Sequence, residues 1–247
     1  VANKLRPVDD AEIASLFPSL MPPSSPFNGT VTANQSIATC DFAIADLRRA
    51  GKLVDGTIND AVLAITAGAL RRYMAGHGGI PDRPLLVSAP VSWRTGKETE
   101  RWANQVWMLF LPIPTHLSDP LARLRYARQS ALTAKANWDR VPGHLLRRAS
   151  ALMPSLILGP SVKVMARLPG RLTPKMYNVA VSNVKGPREI PVHGGAQMER
   201  YIVYGFLPPG CGLLLGGQSL GDRMVISATT CVDLVPDYQQ LPALMQE

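Results

Sequence analysis

The sequence lacks several features that identify whole classes of protein. Its three cysteines, Cys40, Cys211 and Cys231, are an odd number without CxxC spacing. This argues against a disulfide framework or a zinc site and favours reduced, buried thiols in a cytosolic protein. No apolar run reaches the roughly 20 residues that span a bilayer, and there is no internal repeat or low-complexity tract.

Histidine is scarce as well. The four histidines, His77, His116, His144 and His193, are far apart, and none has Cys, Asp or Glu nearby at ligand spacing, so a catalytic metal has no support. We expect His77, in the glycine-rich AGHGG, to be solvated. Because the chain begins at Val1 without Met and nothing near its start resembles a signal peptide, we expect a fragment or a processed product.

The chain has 247 residues and 46% hydrophobic content, enough to bury a substantial core. Its net charge of +8 is concentrated between residues 121 and 175, where eleven Lys or Arg accompany one acid, Asp139. This basic segment favours a membrane surface, coenzyme A phosphates or nucleic acid, unless it is simply the solvated face of surface helices. It lacks interleaved aromatics and any binding motif, so we expect no nucleic-acid partner.

Periodicity and turn residues predict the following elements. Residues 1–29, rich in Pro, Ser and Asp, indicate an interdomain linker with a short helix over 9–16, and residues 30–247 the domain. Strands are predicted over 84–91, 105–113, 177–184, 198–206, 212–219 and 224–231, and helices over 45–51, 57–76, 118–138, 144–153, 155–168 and from Pro236, after an extended segment over 30–44. This mixed order predicts an α/β or α+β two-layer sandwich with a mixed sheet.

The helices of the basic segment have distinct faces. In the helix over 118–138 we expect Leu121, Leu124, Ala131 and Ala134 inward and Arg123, Arg125 and Arg128 outward. The helices over 144–153 and 155–168 combine apolar clusters with Arg147, Arg148 and Lys163. That profile is typical of a core-facing helix or of one in a membrane interface, and we favour the core-facing arrangement.

Residues 217–221, GQSLG, match the GxSxG nucleophile elbow of α/β-hydrolases. The elbow requires a helix after Ser219 and a later His, but a further strand follows and no His occurs after position 193. We therefore predict a hairpin turn in which Gly221 and Asp222 take positive φ.

Two stretches contain the candidate site residues. Residues 177–187, YNVAVSNVKGP, alternate as a strand with two unlike faces and then turn at Gly186-Pro187. This places Ser182 and Asn183 at a strand mouth, where α/β sheets often form sites.

The second stretch is the start of the helix over 57–76, with Thr57 as its N-cap and Asn59-Asp60 in its first turn. Asp60 can cap its own helix, which spacing alone favours. Alternatively, Asn59 can point toward developing negative charge, as an oxyanion donor or by orienting a catalytic His.

Together, TINDAVLA over 57–64 and VSNVKGP over 181–187 resemble the TVNDVVLA-like helix and the VSNVPGP turn of the bacterial wax ester synthase/diacylglycerol acyltransferase family. The resemblance extends from about residue 26 to the end. It implies a fold similar to chloramphenicol acetyltransferase, in which two copies pack side by side around a tunnel. The family's general base is a His of HHxxxDG on an N-terminal half, and that motif is absent from these 247 residues.

On this resemblance the chain is the C-terminal half of an O-acyltransferase that transfers a fatty acyl group from acyl-CoA to diacylglycerol or a long-chain alcohol. Asn59, Asp60, Ser182 and Asn183 would support catalysis, whereas Lys185, where the family usually has Pro, and Arg188 would contact coenzyme A phosphates. Acyl-CoA is then a co-substrate, and no permanent cofactor or metal is implied. The isolated chain is predicted to be inactive.

The implied partners are the N-terminal half, the two substrates and an anionic membrane or lipid-droplet surface. We expect a cytoplasmic protein peripheral to the inner membrane or to lipid droplets. An alternative of another class, suggested by the basic segment, is a non-catalytic module that docks on membranes or lipid droplets.

Overall fold

A computed structural model describes residues 22–92, 106–140, 160, 163–164 and 175–247. Its strands are β1 (Gln35–Ala43), β2 (Leu85–Ser92), β3 (Val106–Ile113), β4 (Val179–Val184), β5 (Val192–His193), β6 (Ala196–Gln197), β7 (Leu213–Leu220) and β8 (Arg223–Cys231). Its helices are α1 (Ile44–Lys52), α2 (Ile58–Gly76), α3 (Pro120–Arg140) and α4 (Leu241–Gln246), the last preceded by a 3₁₀ turn over Tyr238–Gln240.

Six strands form one sheet in the order β1-β8-β7-β4-β2-β3. The central strand β4 runs parallel to its neighbours β7 and β2, and the other pairs are antiparallel. The helices form a layer around α2, which contacts α1, α3 and α4. The predicted α/β sandwich with a mixed sheet is therefore confirmed.

Helix α2 is the centre of the core. The structure confirms the prediction of a helix from the Thr57 cap to Gly76. Its small and apolar side chains are buried on several sides, because other helices cover the surface that does not face the sheet. Tyr73 lies in the core near Phe27, which is completely buried, with 5.7 Å between the ring centroids.

Asn178 fastens the first described residues to the sheet. Its buried side chain accepts the Leu86 N–H at 2.9 Å and donates to the Pro23 carbonyl and to Asn28 Oδ1, both at 2.8 Å. Residues 22–29, the end of the predicted linker, thus pack on the domain. The linker boundary itself stays a prediction.

Two predictions about α3 are wrong. Arg123, expected outward, is only 7% exposed, and its guanidinium donates to the carbonyls of Leu117 and Ser118 at 3.2 and 2.7 Å. The space it needs is provided by Gly68 of α2, where an added Cβ would lie 3.1 Å from Arg123 Nη2. Leu121, expected inward, is 36% exposed in the first turn.

The strand predicted over 198–206 is also wrong. This segment lies against the sheet without joining its ladder. Instead, Ser227 Oγ donates to the Val203 carbonyl, and Thr229 Oγ1 accepts the Gly205 N–H at 3.4 Å. The sheet thus binds it through hydroxyl side chains rather than through a free strand edge, which the sequence pattern of the segment itself does not reveal.

The hairpin predicted at residues 217–221 is confirmed, since β7 and β8 pair up to Leu220 and Arg223. Gly221 has φ +58°, but Asp222 is not at positive φ, contrary to the prediction. A single positive φ at the first central position is typical of a type II′ hairpin.

All three cysteines are free and buried, as predicted. In the described ranges no helix is both long and apolar enough to cross a membrane. The predicted helix over 9–16 lies outside the described residues, and so do those over 144–153 and 155–168 except for Pro160, Lys163 and Val164.

Candidate functional site

A cleft of about 1490 Å³ lies where the start of α2, the inner face of α3 and the turn after β4 come together. Its lining includes five of the six predicted site residues: Asn59, Asp60, Asn183, Lys185 and Arg188. The structure therefore brings together side chains from sequence positions more than a hundred residues apart.

The sixth residue, Ser182, is not among those that line the cleft. Side chains alternate along a strand, and the neighbours Val181 and Asn183 face the cleft. Ser182 therefore projects from the opposite face of β4. Any role in catalysis stays a prediction and would act through Asn183 or the strand backbone.

Asp60 caps its own helix, as its spacing indicated. Its Oδ2 accepts hydrogen bonds from the Thr57 backbone N–H at 2.7 Å and from Thr57 Oγ1 at 2.9 Å, while the Asp60 N–H donates back to Thr57 Oγ1 at 3.3 Å. This reciprocal capping box leaves Asp60 only 4% exposed. It fixes the first turn of α2 at the wall of the cleft.

Asn59 lies in that fixed turn, is exposed and lines the cleft. Its side-chain amide makes no hydrogen bond with any of the described residues. The backbone N–H groups of a first helical turn have no acceptor within the helix, and the helix dipole favours negative charge there. The amide and the helix start can therefore donate hydrogen bonds to an anionic or strongly polarised oxygen.

The turn after β4 is held against β7 by Gly186. Its N–H donates to Ser219 Oγ at 2.8 Å, and a Cβ at this position would lie 1.8 Å from the Ser219 carbonyl oxygen. Only glycine permits this approach. Ser219 thus positions the turn that presents Lys185 and Arg188, and its contacts do not match a hydrolase nucleophile.

Cations outnumber acids in the cleft. The lining holds Arg48, Arg128, Lys135, Lys185 and Arg188 against Asp60, Asp139 and Asp222. Arg128 Nη1 is 4.0 Å from Asp60 Oδ2. This balance favours an anionic ligand. Sequence reasoning missed Arg48 and Lys135 and placed Arg128 in solvent, although the seven-residue spacing of Arg128 and Lys135 puts them on one helical face.

None of the described histidines lines the cleft. His77 stacks on Tyr73 with 4.1 Å between the ring centroids and hydrogen-bonds Asp237 at 2.8 Å, and its side chain is still 24% exposed. The Tyr73 carbonyl, and then Asp237, raise the His77 pKa. Burial lowers the pKa of His116, and His193 is exposed on the β5–β6 hairpin. The fourth histidine lies outside the described residues.

Comparison with known proteins agrees with this arrangement. The family model of the WS/DGAT C-terminal domain matches residues 102–247. The wax ester synthase/diacylglycerol acyltransferase catalytic domain matches residues 2–62, which include Asn59 and Asp60. Both matched segments contribute to the six-stranded sheet and to the cleft.

Curated relatives are similar over most of this chain. A Mycobacterium tuberculosis protein that carries the name of a diacylglycerol O-acyltransferase is 31% identical over 215 residues, 87% of this chain and 42% of that protein. The O-acyltransferase WSD of Acinetobacter baylyi is 29% identical over 93% of this chain and 48% of its own length. The chain therefore spans about half the length of these relatives.

Solved structures show the same fold. The wax ester synthase/diacylglycerol acyltransferase from Marinobacter aquaeolei VT8 superposes with TM-score 0.68 at 21% identity, over 91% of this chain and 50% of that one. The starter condensation domain of rhizomide synthetase gives TM-score 0.53 at 15% identity, over 96% and 49%. These similarities show the fold, and the family model of the C-terminal domain, which matches more than half of the residues, shows that the chain belongs to the wax ester synthase/diacylglycerol acyltransferase family.

Proposed function

We propose that this chain is one half of an O-acyltransferase that moves a fatty acyl group from acyl-CoA to diacylglycerol or a long-chain alcohol. The supporting observation is the cleft, in which Asn59 and Asn183 accompany the cations Lys185 and Arg188. The described part of its lining holds no histidine. The general base therefore belongs to the catalytic half, as the family resemblance implies, and the chain alone is inactive.

In the proposed reaction the base removes the proton of the acceptor hydroxyl, whose oxygen attacks the thioester carbon. A C–O bond forms, the C–S bond breaks, and the proton passes through the base to the sulfur of the departing coenzyme A. Asn59 donates a hydrogen bond to the oxyanion of the tetrahedral intermediate. Lys185 and Arg188 hold coenzyme A phosphates by charge-assisted hydrogen bonds.

The names of the similar proteins support this reaction and leave its acceptor open, because they include both diacylglycerol O-acyltransferase and wax ester synthase. The proposed location, peripheral to the inner membrane or lipid droplets, follows from the water-insoluble acceptor. The alternative of a docking module depended on the basic segment, whose residues 141–159, 161–162 and 165–174 lie outside the described ones.

The first test is turnover. We would co-express the chain with the catalytic half encoded by its gene and measure release of free coenzyme A from palmitoyl-CoA, with dioleoylglycerol or hexadecanol as acceptor. We expect turnover from the pair and none from the chain alone. Turnover by the chain alone would contradict the missing base, and no turnover by a well-formed pair with either acceptor would overturn the function.

Variants then test the individual roles. Asn59→Ala in the pair should lower kcat about 100-fold or more if its amide serves the oxyanion. Asn137→Ala, on α3 outside the cleft lining, is the matched control. A decrease in kcat of less than about threefold for Asn59→Ala would show that its amide does not stabilise the oxyanion.

Replacing the cations Lys185 and Arg188 should change KM rather than kcat. Lys185→Glu and Arg188→Glu should raise KM for palmitoyl-CoA with little change in kcat, because they contribute equally to ground-state and transition-state binding. Lys52→Glu, exposed on α1 and outside the cleft lining, controls for net charge. An unchanged KM in both cleft variants would show that the phosphates bind elsewhere.

A further inference from the structure

Arg128 lines the cleft with its side chain only 28% exposed. Its guanidinium makes no hydrogen bond with any of the described residues, since Asp60 Oδ2, at 4.0 Å, is too far away for one. Other largely covered arginines differ: Arg71, Arg72 and Arg123 donate to main-chain carbonyls at 3.0, 3.1 and 2.7 Å. Because a guanidinium withdrawn from water without an acceptor costs stability, the position of Arg128 calls for a functional explanation.

The fold does not need Arg128 to hold Asp60 in place. Asp60 Oδ2 already accepts two hydrogen bonds from Thr57, and a Cβ added to Gly56 would lie 3.0 Å from the same oxygen. The carboxylate is therefore fixed by its own helix start and by the turn before it. Arg128 adds a positive charge beside this carboxylate without a hydrogen bond.

Helix α3 is anchored on both sides of Arg128. Before it, the Arg123 guanidinium donates to the Ser118 carbonyl at 2.7 Å. After it, Ser130 Oγ donates to the Pro112 carbonyl at 2.7 Å, which joins α3 to the end of β3. These contacts hold α3 against its neighbours, so Arg128 remains beside the first turn of α2.

The charge of Asp60 opposes the chemistry proposed for its neighbour Asn59. The carboxylate is only 4% exposed, so water screens its charge weakly. It also occupies the helix start, whose dipole would otherwise favour an oxyanion. A tetrahedral intermediate beside Asn59 would therefore form next to a like charge unless a cation compensates for that charge.

Arg128 is placed to provide this compensation. The remaining cations of the lining are all exposed: Arg48, Lys135, Lys185 and Arg188. Water screens these exposed charges, whereas the pair of Asp60 and Arg128 is largely withdrawn from water.

We propose that Arg128 is a positioning residue of the acyl transfer, which neutralises the field of Asp60 at Asn59 and so favours the oxyanion there. It acts through Asp60 and does not contact the substrates. This inference rests on the proposed function, because the oxyanion at Asn59 belongs to that proposal.

The first test uses the co-expressed pair with palmitoyl-CoA. Arg128→Gln should lower kcat about 30-fold with little change in KM, because the charge acts only once the oxyanion develops. Arg128→Lys, which keeps the charge, should recover most of this loss. Arg125→Gln, exposed on the same helix and outside the cleft lining, is the matched control and should leave both constants unchanged. Since Arg128 makes no hydrogen bond, the melting temperature of the Arg128→Gln chain should stay within about 2 °C of the parent.

A second substitution shows whether Arg128 acts through Asp60. Asp60→Asn removes the negative charge, and its amide oxygen can still accept the Thr57 N–H, so the cap is kept in part. In this background Arg128→Gln should lower kcat less than about threefold. An equal loss with and without the Asp60 charge would overturn the inference, because Arg128 would then act on the substrate directly.

A donor without phosphates separates this role from coenzyme A binding. Palmitoyl-pantetheine keeps the thioester, so it should give the same ratio of kcat between the parent and Arg128→Gln as palmitoyl-CoA does. A loss confined to palmitoyl-CoA, or a rise in KM alone, would overturn the inference in favour of a phosphate contact. A kcat for Arg128→Gln within about threefold of the parent would overturn it as well, whereas the turnover of the parent pair decides the proposed function independently of these variants.

Discussion

Replacing Gly186 by alanine tests how closely the turn after β4 approaches β7. The new Cβ would lie 1.8 Å from the Ser219 carbonyl oxygen and 2.6 Å from Gln218 Nε2. The Gln218 side chain can rotate away, but the Ser219 carbonyl oxygen would have to move by about 1.5 Å to reach an ordinary van der Waals distance. That shift also breaks the hydrogen bond from the Gly186 N–H to Ser219 Oγ. We therefore expect Gly186→Ala to lower the free energy of unfolding by about 3 kcal/mol, from overpacking and one lost hydrogen bond.

Urea denaturation of the chain measures this difference directly. In a protein of this size the same change corresponds to a decrease of roughly 6–12 °C in melting temperature. Gly76→Ala is the matched control: nothing lies within 4 Å of its added Cβ, and alanine is a better helix former, so its stability should stay the same or rise. A Gly186→Ala protein within about 0.5 kcal/mol of the parent would refute the close approach.

Three further substitutions have defined expectations. Asn178→Ala removes the acceptor of the Leu86 N–H and the donors to the Pro23 carbonyl and to Asn28 Oδ1, of which Asn28 Oδ1 keeps the hydrogen bond from Ser25 Oγ, and should lower the free energy of unfolding in urea by about 3 kcal/mol; a loss below about 1 kcal/mol would contradict its fastening role. Thr57→Ala removes the α2 cap and should cost about 1 kcal/mol in the same assay, whereas Thr57→Ser should be close to neutral. The His77 pKa is raised in the folded chain by the Tyr73 carbonyl and by Asp237, so protonated His77 adds stability that is present below pH 6.5 and is lost as the pH rises through the folded-state pKa. His77→Gln should therefore lose more stability at pH 5.5 than at pH 8.5, and an equal loss at both would show that the protonated form is not favoured.

The elements predicted correctly are those in which local and long-range requirements coincide. The start of α2 is an example: Thr57 and Asp60 have the spacing of a capping box, and the apolar positions that follow have helical periodicity. The hairpin between β7 and β8 is another, because the turn at Gly221 follows directly from the chemistry of glycine. Both signals are contained within a few residues.

The wrong predictions concern segments whose structure depends on residues far away in the sequence. Arg123 has the charge and position of a surface residue, but Gly68 leaves space for its guanidinium and the carbonyls before α3 accept its hydrogen bonds. Residues 198–206 have the composition of a strand, yet Ser227 and Thr229 hold them by side-chain hydroxyls. No pattern within either segment contains this information.

The residues of the candidate site also fall into two groups, those that a local motif predicts and those that only the packing of the fold brings in. Four of its five predicted lining residues lie in the two motifs recognised by resemblance, Arg188 directly follows the second motif, and the cleft brings both motifs together. Arg48 and Lys135 belong to no motif and enter the lining only because their helices pack beside it. Ser182 and Asn183 were indistinguishable until the register of β4 separated their faces.

The pairing of β1 with β8 has a consequence for biosynthesis. Each residue from Gln35 to Ala43 is matched with one between Arg223 and Cys231, so the first strand acquires this neighbour only after about 180 more residues have been made. At about 5–20 residues per second that delay is on the order of 10–40 s. Throughout it, β1 emerges from the ribosome with an unpaired edge and α2 without half of its sheet. High contact order of this kind slows folding and exposes the nascent chain to aggregation, so we expect its yield to depend on chaperones that shield the early segments.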